Sequence, residues 1–134
     1  MQEIISIKNI SVQRGGKQVL KNITWTTCKG ENWFVMGENG SGKTTLIEIL
    51  VGYLWAQEGK VCIMGEEFGH TNLRELRTKV GYVSSWIMKR MQSYTLVEDV
   101  VASGIDGSVG SFEHKSEKLM KEIKNKLDFL NVRI

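Results

Sequence analysis

Residues 37–45 read Gly-Glu-Asn-Gly-Ser-Gly-Lys-Thr-Thr, and no other stretch constrains the chain as much. The run fits G-x-x-x-x-G-K-[ST] at every fixed position, with Gly37, Gly42, Lys43 and Thr44. It follows the apolar run Trp33-Phe34-Val35-Met36, read here as a strand. It precedes Leu46, Ile47, Ile49, Leu50, Tyr53 and Leu54, whose spacing predicts a helix. Strand, glycine loop and helix in that order make a phosphate cradle. Gly37, Gly40 and Gly42 let the backbone turn its N–H groups inward, because no Cβ blocks the approach of an anion. The helix that follows points its positive end at the same place. Lys43 adds a full charge for the β- and γ-phosphates, and the Thr44 hydroxyl is placed to ligate Mg²⁺. Glu38, Asn39, Ser41 and Thr45 complete the candidate site, with Thr45 toward the α-phosphate. The Glu38 side chain is expected to point away, since a carboxylate facing the phosphates would repel them.

A chain of 134 residues suits one domain with a real core. The net charge of +3 is spread along the sequence, which is too weak an imbalance to point to nucleic acid. Two cysteines, Cys28 and Cys62, can build neither a disulfide framework nor a zinc site, so a reducing compartment is expected. No apolar run reaches the roughly 18 residues of a membrane span, and no signal peptide opens the chain. A cytoplasmic location is expected.

Before the loop the sequence reads as sheet. Ile4–Ile7 and Ile10–Val12 carry β-branched residues, and Arg14-Gly15-Gly16-Lys17 is a turn. Val19-Leu20 and Ile23–Thr27 resume strand character, and Lys29–Asn32 turns toward the loop strand. Further on, Lys60–Met64 and Lys79–Val83 read as strands and Leu73–Arg77 as a short helix. Thr95-Leu96-Val97-Glu98 reads as a capping box opening a helix that the glycine-rich stretch 104–110 breaks. From about Glu113, Leu119, Ile123, Leu127 and Leu130 form one apolar stripe among lysines and glutamates.

Taken together these features resemble the nucleotide-binding domain of ABC ATPases, over essentially the whole chain. The resemblance rests on the Gly-Gly turn before Val19-Leu20, on Asn39-Gly40-Ser41-Gly42-Lys43-Thr44-Thr45-Leu46, on Glu58-Gly59-Lys60-Val61 with Gly65 after it, and on Leu73–Arg77 followed by Val80-Gly81-Tyr82-Val83. Gly30–Trp33, Val83-Ser84-Ser85 and 100–112 look more narrowly like the ModF/PhrA-type branch. The fold this implies is α/β: a P-loop NTPase core with an N-terminal antiparallel β-subdomain. Residues 1–92 correspond to the nucleotide-binding core part and 93–134 to the start of the helical subdomain. The implied ligands are ATP and Mg²⁺. The implied partners are a C-terminal half or second ATP-binding domain and a membrane permease subunit, which would bring the protein to the inner face of the membrane.

The chain departs from the family at two site positions. An aromatic residue that stacks on adenine is usual where this chain has Arg14, whose guanidinium plane can also stack on a purine. The Q-loop glutamine falls at Ser85, a shorter residue with less reach to Mg²⁺ or water. The family's hydrolytic machinery includes an apolar strand ending in Asp-Glu and a Leu-Ser-Gly-Gly-Gln signature. Leu96-Val97-Glu98-Asp99 has its acids reversed, and Ala102-Ser103-Gly104 lies too close to Lys43 to be the signature. Neither His70 nor His114 falls where the family's switch histidine would lie. The resemblance therefore covers the N-terminal part of such a domain, before the signature and Walker B regions, and the chain is expected to be inactive by itself. The alternative function is a nucleotide-binding fragment without hydrolysis. A small GTPase is a remote alternative: Asn125-Lys126-Leu127-Asp128 matches the guanine-reading motif, but it lies within an amphipathic helix pattern.

Overall fold

The computed structural model describes residues 2–91, 94–108 and 116–132. It forms two compact units, residues 1–73 and 74–134. The first unit is built on an antiparallel hairpin of β1 (Glu3–Arg14) and β2 (Lys17–Cys28). Gly15 and Gly16 close it with φ of 56° and 75°, the pair of left-handed residues that a two-residue hairpin turn demands. β3 (Glu58–Ile63) pairs with the other edge of β1, and the two-residue β4 (Glu66–Glu67) pairs with β3. The sheet order is β2-β1-β3-β4.

One irregularity in β1 decides which side chains become core. Strand alternation would send Ile7 and Ile10 to opposite faces. The register shifts between them, and Asn9 takes a left-handed conformation at φ 54°. Ile7, Ile10 and Val12 are all buried as a result. Asparagine tolerates that conformation better than most residues. Here Thr24 secures it twice: its Oγ1 accepts from the Asn9 N–H at 3.0 Å and donates to Asn9 Oδ1 at 2.9 Å. Leu20, Val61 and Ile63 from the neighbouring strands are buried too, as are Ile49, Leu50 and Val51. The last three belong to α1 (Lys43–Leu50) and its C-cap. Gly59 fits against the bulge at φ 86°, and a Cβ there would be driven into the carbonyl oxygens of Lys8 and Asn9. Gly59→Ala should therefore cost more than the roughly 1–3 kcal/mol of left-handed strain alone. Thermal melting checks this; an unchanged midpoint would mean that the bulge does not press on β3.

The second unit is helical. It contains α2 (Leu73–Thr78, entered from the end of the first unit), α3 (Ser85–Arg90), α4 (Val97–Asp106) and α5 (Glu117–Phe129). Ala102 of α4 packs with Ile123 and Leu127 of α5, and Val101, Ile105 and Leu119 flank them. Ser116 caps α5 by accepting from the Leu119 N–H at 3.3 Å. The expected stripe is present except at Leu130, which sits at the C-cap and is exposed.

Several sequence expectations need correction. Trp33–Met36 is not a strand: it lies outside the sheet, with Phe34 90% and Met36 88% exposed. Lys79–Val83 is not a strand either; Lys79 and Val80 donate to Leu76 and Arg77 carbonyls as α2 ends. Both were read from apolar, β-branched composition. A strand buried on both faces also needs neighbours for its backbone, and β1–β4 pair with one another instead. Thr95 is not a cap, since Leu96 holds the N-cap position of α4 without a side-chain bond. Gly104 does not end α4. Gly107 does, at φ 69°, and its carbonyl accepts from Arg77 Nε at 2.7 Å.

Candidate functional site

The glycine loop is held between the hairpin and α1. Gly42 is the N-cap of α1 at φ 92°, and its carbonyl accepts the first helical bond from the Leu46 N–H at 2.8 Å. No residue with a side chain could replace it comfortably. A Cβ would stand 2.8 Å from both Leu20 Cδ2 and the Val19 carbonyl oxygen. Gly40, at φ 83°, and the bond from the Ser41 N–H to the Glu38 carbonyl at 3.2 Å curl the loop back on itself. The curl leaves a cleft of about 350 Å³ lined by Val19, Asn39, Gly40, Gly42, Lys43, Thr44 and Thr45.

The electrostatics of the cleft favour an anion. The first turn of α1 carries no acidic residue and no side-chain cap, so its leading N–H groups are not satisfied from within the helix. Lys43 Nζ donates to the carbonyls of Gly37 and Glu38, both at 2.7 Å, and reaches Ser41 Oγ at 3.4 Å. The ammonium is thus pinned to the rim of the loop. Thr44 is exposed beside it, while Thr45 is buried in the wall of the cleft. Glu38 is exposed, as its charge requires.

Arg14 lies at the end of β1 in the same unit. One guanidinium nitrogen makes a 2.9 Å ion pair with Oε2 of Glu48, which is 2% exposed against 51% for Arg14. Sequence reasoning passed over Glu48. Its signal was a lone acid inside Leu46-Ile47-Glu48-Ile49-Leu50, where every neighbour is apolar. Ser85 belongs to the second unit, at the first residue of α3, and is exposed. His70 is exposed and His114 lies outside the described residues. Asn125–Asp128 falls inside α5 with Leu127 buried, so these residues do not form a base-reading loop.

The approach to the loop has its own polar anchor. Glu31 accepts from the Cys28 N–H and from the Trp33 indole N–H, both at 3.0 Å. The backbone bond first, then the indole, holds its carboxyl below the ordinary value. The Trp33 ring meets Trp25 edge to face at 5.5 Å.

With this geometry in hand, the comparisons with known proteins are specific. The family model described as "ABC transporter" matches residues 20–133. A Streptococcus mutans protein, provisionally named an ABC transporter ATP-binding protein, is 39% identical over 119 residues, covering 89% of this chain and 43% of its own length. The Escherichia coli ABC transporter ATP-binding protein ModF is 28% identical over 130 residues, covering 96% of this chain and 26% of its own. Among solved structures, the ADP conformation of MJ1267, an ATP-binding cassette of an ABC transporter, superposes with a TM-score of 0.65 at 26% identity. That match takes in 98% of this chain and 55% of the cassette. The chain therefore spans about half the length of these relatives or less. Among the described residues no helix is long and apolar enough to cross a membrane. On the extent of the family match and of these relatives, the chain belongs to the ABC transporter ATP-binding family.

Proposed function

We propose that the chain is the phosphate-binding part of an ABC-type ATPase, taking up Mg-ATP at residues 37–45 so that a complete assembly can power transport or another partner's work. One observation carries this reading. A lysine ammonium and an uncapped, acid-free helix start converge on a glycine-lined cleft of about 350 Å³. That combination suits the phosphates of a nucleotide. Gly37, Glu38, Asn39, Gly40, Ser41 and Gly42 supply the loop backbone. Lys43 neutralises the β- and γ-phosphates and Thr45 sits toward the α-phosphate.

The Thr44 hydroxyl fits Mg²⁺, a hard cation that keeps several waters and takes the rest of its shell from phosphate oxygens. When bound, the metal would neutralise charge between the phosphates.

The partner reading draws on exposure. Trp33, Phe34, Val35 and Met36 present a run of apolar side chains to solvent. A second polypeptide supplying the remaining strands of an ATP-binding domain would cover them and satisfy their backbone. A permease subunit is the further partner in this reading, with the chain at the cytoplasmic face of a membrane. Calorimetric titration of the 134-residue chain with ATP and magnesium tests the site. One saturable site is expected, and no heat of binding at millimolar ligand would overturn the reading.

A further inference from the structure

We infer that the first unit carries a second ligand site, a cavity at the open end of the β1–β2 hairpin that suits a small α-amino acid zwitterion with an aliphatic side chain. It shares no residue with the phosphate cleft and stands apart from the nucleotide-binding reading.

The cavity measures about 320 Å³ and lies where the start of β1, the end of β2 and the approach to the glycine loop meet. That is the lower end of the range for small-molecule sites. Trp25 and Trp33 line it, their rings inclined at 74° to one another. Ile4 and Ile5 of β1 add aliphatic surface.

Three polar groups of this lining have bonding capacity to spare. Trp25 Nε1 is buried and has no hydrogen-bond partner among the described residues. A buried N–H without an acceptor is costly, and a water, an ion or a ligand is its usual explanation. Glu31 uses a single carboxylate oxygen for both of its bonds: the Cys28 N–H and the Trp33 indole N–H each donate to Oε2. These bonds fix the carboxylate in place and do not involve Oε1. They also favour its ionised form. Lys29 lines the cavity as well and forms no ion pair among the described residues.

The ligand class follows from charge and surface. One acid and one base on the same lining favour a molecule that carries both charges over a net cation or a net anion. An ammonium would bond Glu31 Oε1, beside rings that attract cations. A carboxylate would bond Lys29 Nζ and supply the acceptor that Trp25 Nε1 lacks. An aliphatic side chain would lie against Ile4 and Ile5. An α-amino acid bears all three groups on one carbon.

Proton–nitrogen correlation spectra test the site through the indole signals of Trp25 and Trp33, assigned with Trp25→Phe and Trp33→Phe. The ligands are L-leucine, 3-methylbutylamine and 4-methylpentanoate; the last two are leucine without its carboxylate and without its ammonium. Leucine should saturate with a Kd of about 1 mM, the scale expected of so few atoms, and each control should bind about fivefold more weakly. Lys29→Met should weaken leucine about fivefold and leave 3-methylbutylamine within about twofold. Glu31→Gln should weaken leucine about fivefold and leave 4-methylpentanoate within about twofold. Trp25→Phe keeps a ring and removes the N–H; it should weaken leucine and 4-methylpentanoate but not 3-methylbutylamine. Thermal melting of each variant controls for folding, and the comparison of three ligands on the parent needs no variant. Indole signals that do not move with leucine up to about 50 mM would overturn the site. Equal binding of leucine and either control would overturn the zwitterion assignment. Leucine affinity intact in Trp25→Phe would overturn the part given to its N–H, and affinity intact in all three variants would overturn the site as a whole.

Discussion

Replacing Lys43 with alanine should weaken Mg-ATP binding by about tenfold to 150-fold. The estimate comes from the loss of charge-assisted hydrogen bonds to phosphate, worth roughly 1.5–3 kcal/mol. It is the largest single effect on affinity expected from any side chain of the site. Other contributions to the cleft come from backbone N–H groups that a substitution cannot delete, and the Thr44 hydroxyl acts on the metal. The variant should keep its fold, because among the described residues the Lys43 ammonium bonds to Gly37, Glu38 and Ser41 at the loop rim. Calorimetry of parent and variant, with thermal melting as the control on folding, reads the effect. Equal affinities would mean that the ammonium never leaves the loop carbonyls for a phosphate.

A second expected result concerns turnover. The 134-residue chain alone should release no phosphate from ATP above a Lys43→Ala control. It has groups that attract phosphate but no apolar strand ending in Asp-Glu to hold the metal and orient water, and no signature loop to close over the γ-phosphate. Phosphoryl transfer depends almost wholly on positioning and electrostatic stabilisation, so lacking those parts should cost about a thousandfold or more. Adding a separately expressed polypeptide that carries both motifs should restore turnover and, in the same step, cover Phe34 and Met36. A malachite-green time course measures the first and protection of Met36 from oxidation the second. Steady phosphate release by the chain alone, abolished in Lys43→Ala, would show that its own residues complete the machinery.

The glycine loop, the first hairpin and β3 were legible because their signals are local. A Gly-Gly turn fixes its own backbone, and the loop motif fixes its own helix start. The apolar runs at 33–36 and 79–83 misled because burial on both faces is a property of neighbours, not of the run itself. Gly104 misled for a related reason. Glycine weakens a helix by about 1 kcal/mol, which the packing of Val101, Ala102 and Ile105 against α5 can outweigh. At Gly107 the helix ends in a left-handed cap at φ 69°, where a Cβ would meet the Arg74 carbonyl, a contact invisible in the sequence. Glu48 was hidden by the opposite error. A charged residue in an apolar helix reads as the solvent side, and only its 2% exposure in the fold shows it turned inward, paired with Arg14. The form of the glycine loop was thus readable from residues close in sequence, while the Arg14–Glu48 pair, 34 positions apart, needed the fold.

The way Lys43 occupies the loop bears on speed as well as strength. An ammonium bonded to two loop carbonyls helps to hold the curl of the loop. If the cleft takes a nucleotide as proposed, an arriving phosphate would meet a shaped cavity and a charge at its edge, and would exchange one set of hydrogen bonds for another without a refolding step. Association should run at the pace of a charge-steered encounter, slowing as salt is added. Differences in affinity among nucleotides should then appear in how long each one stays.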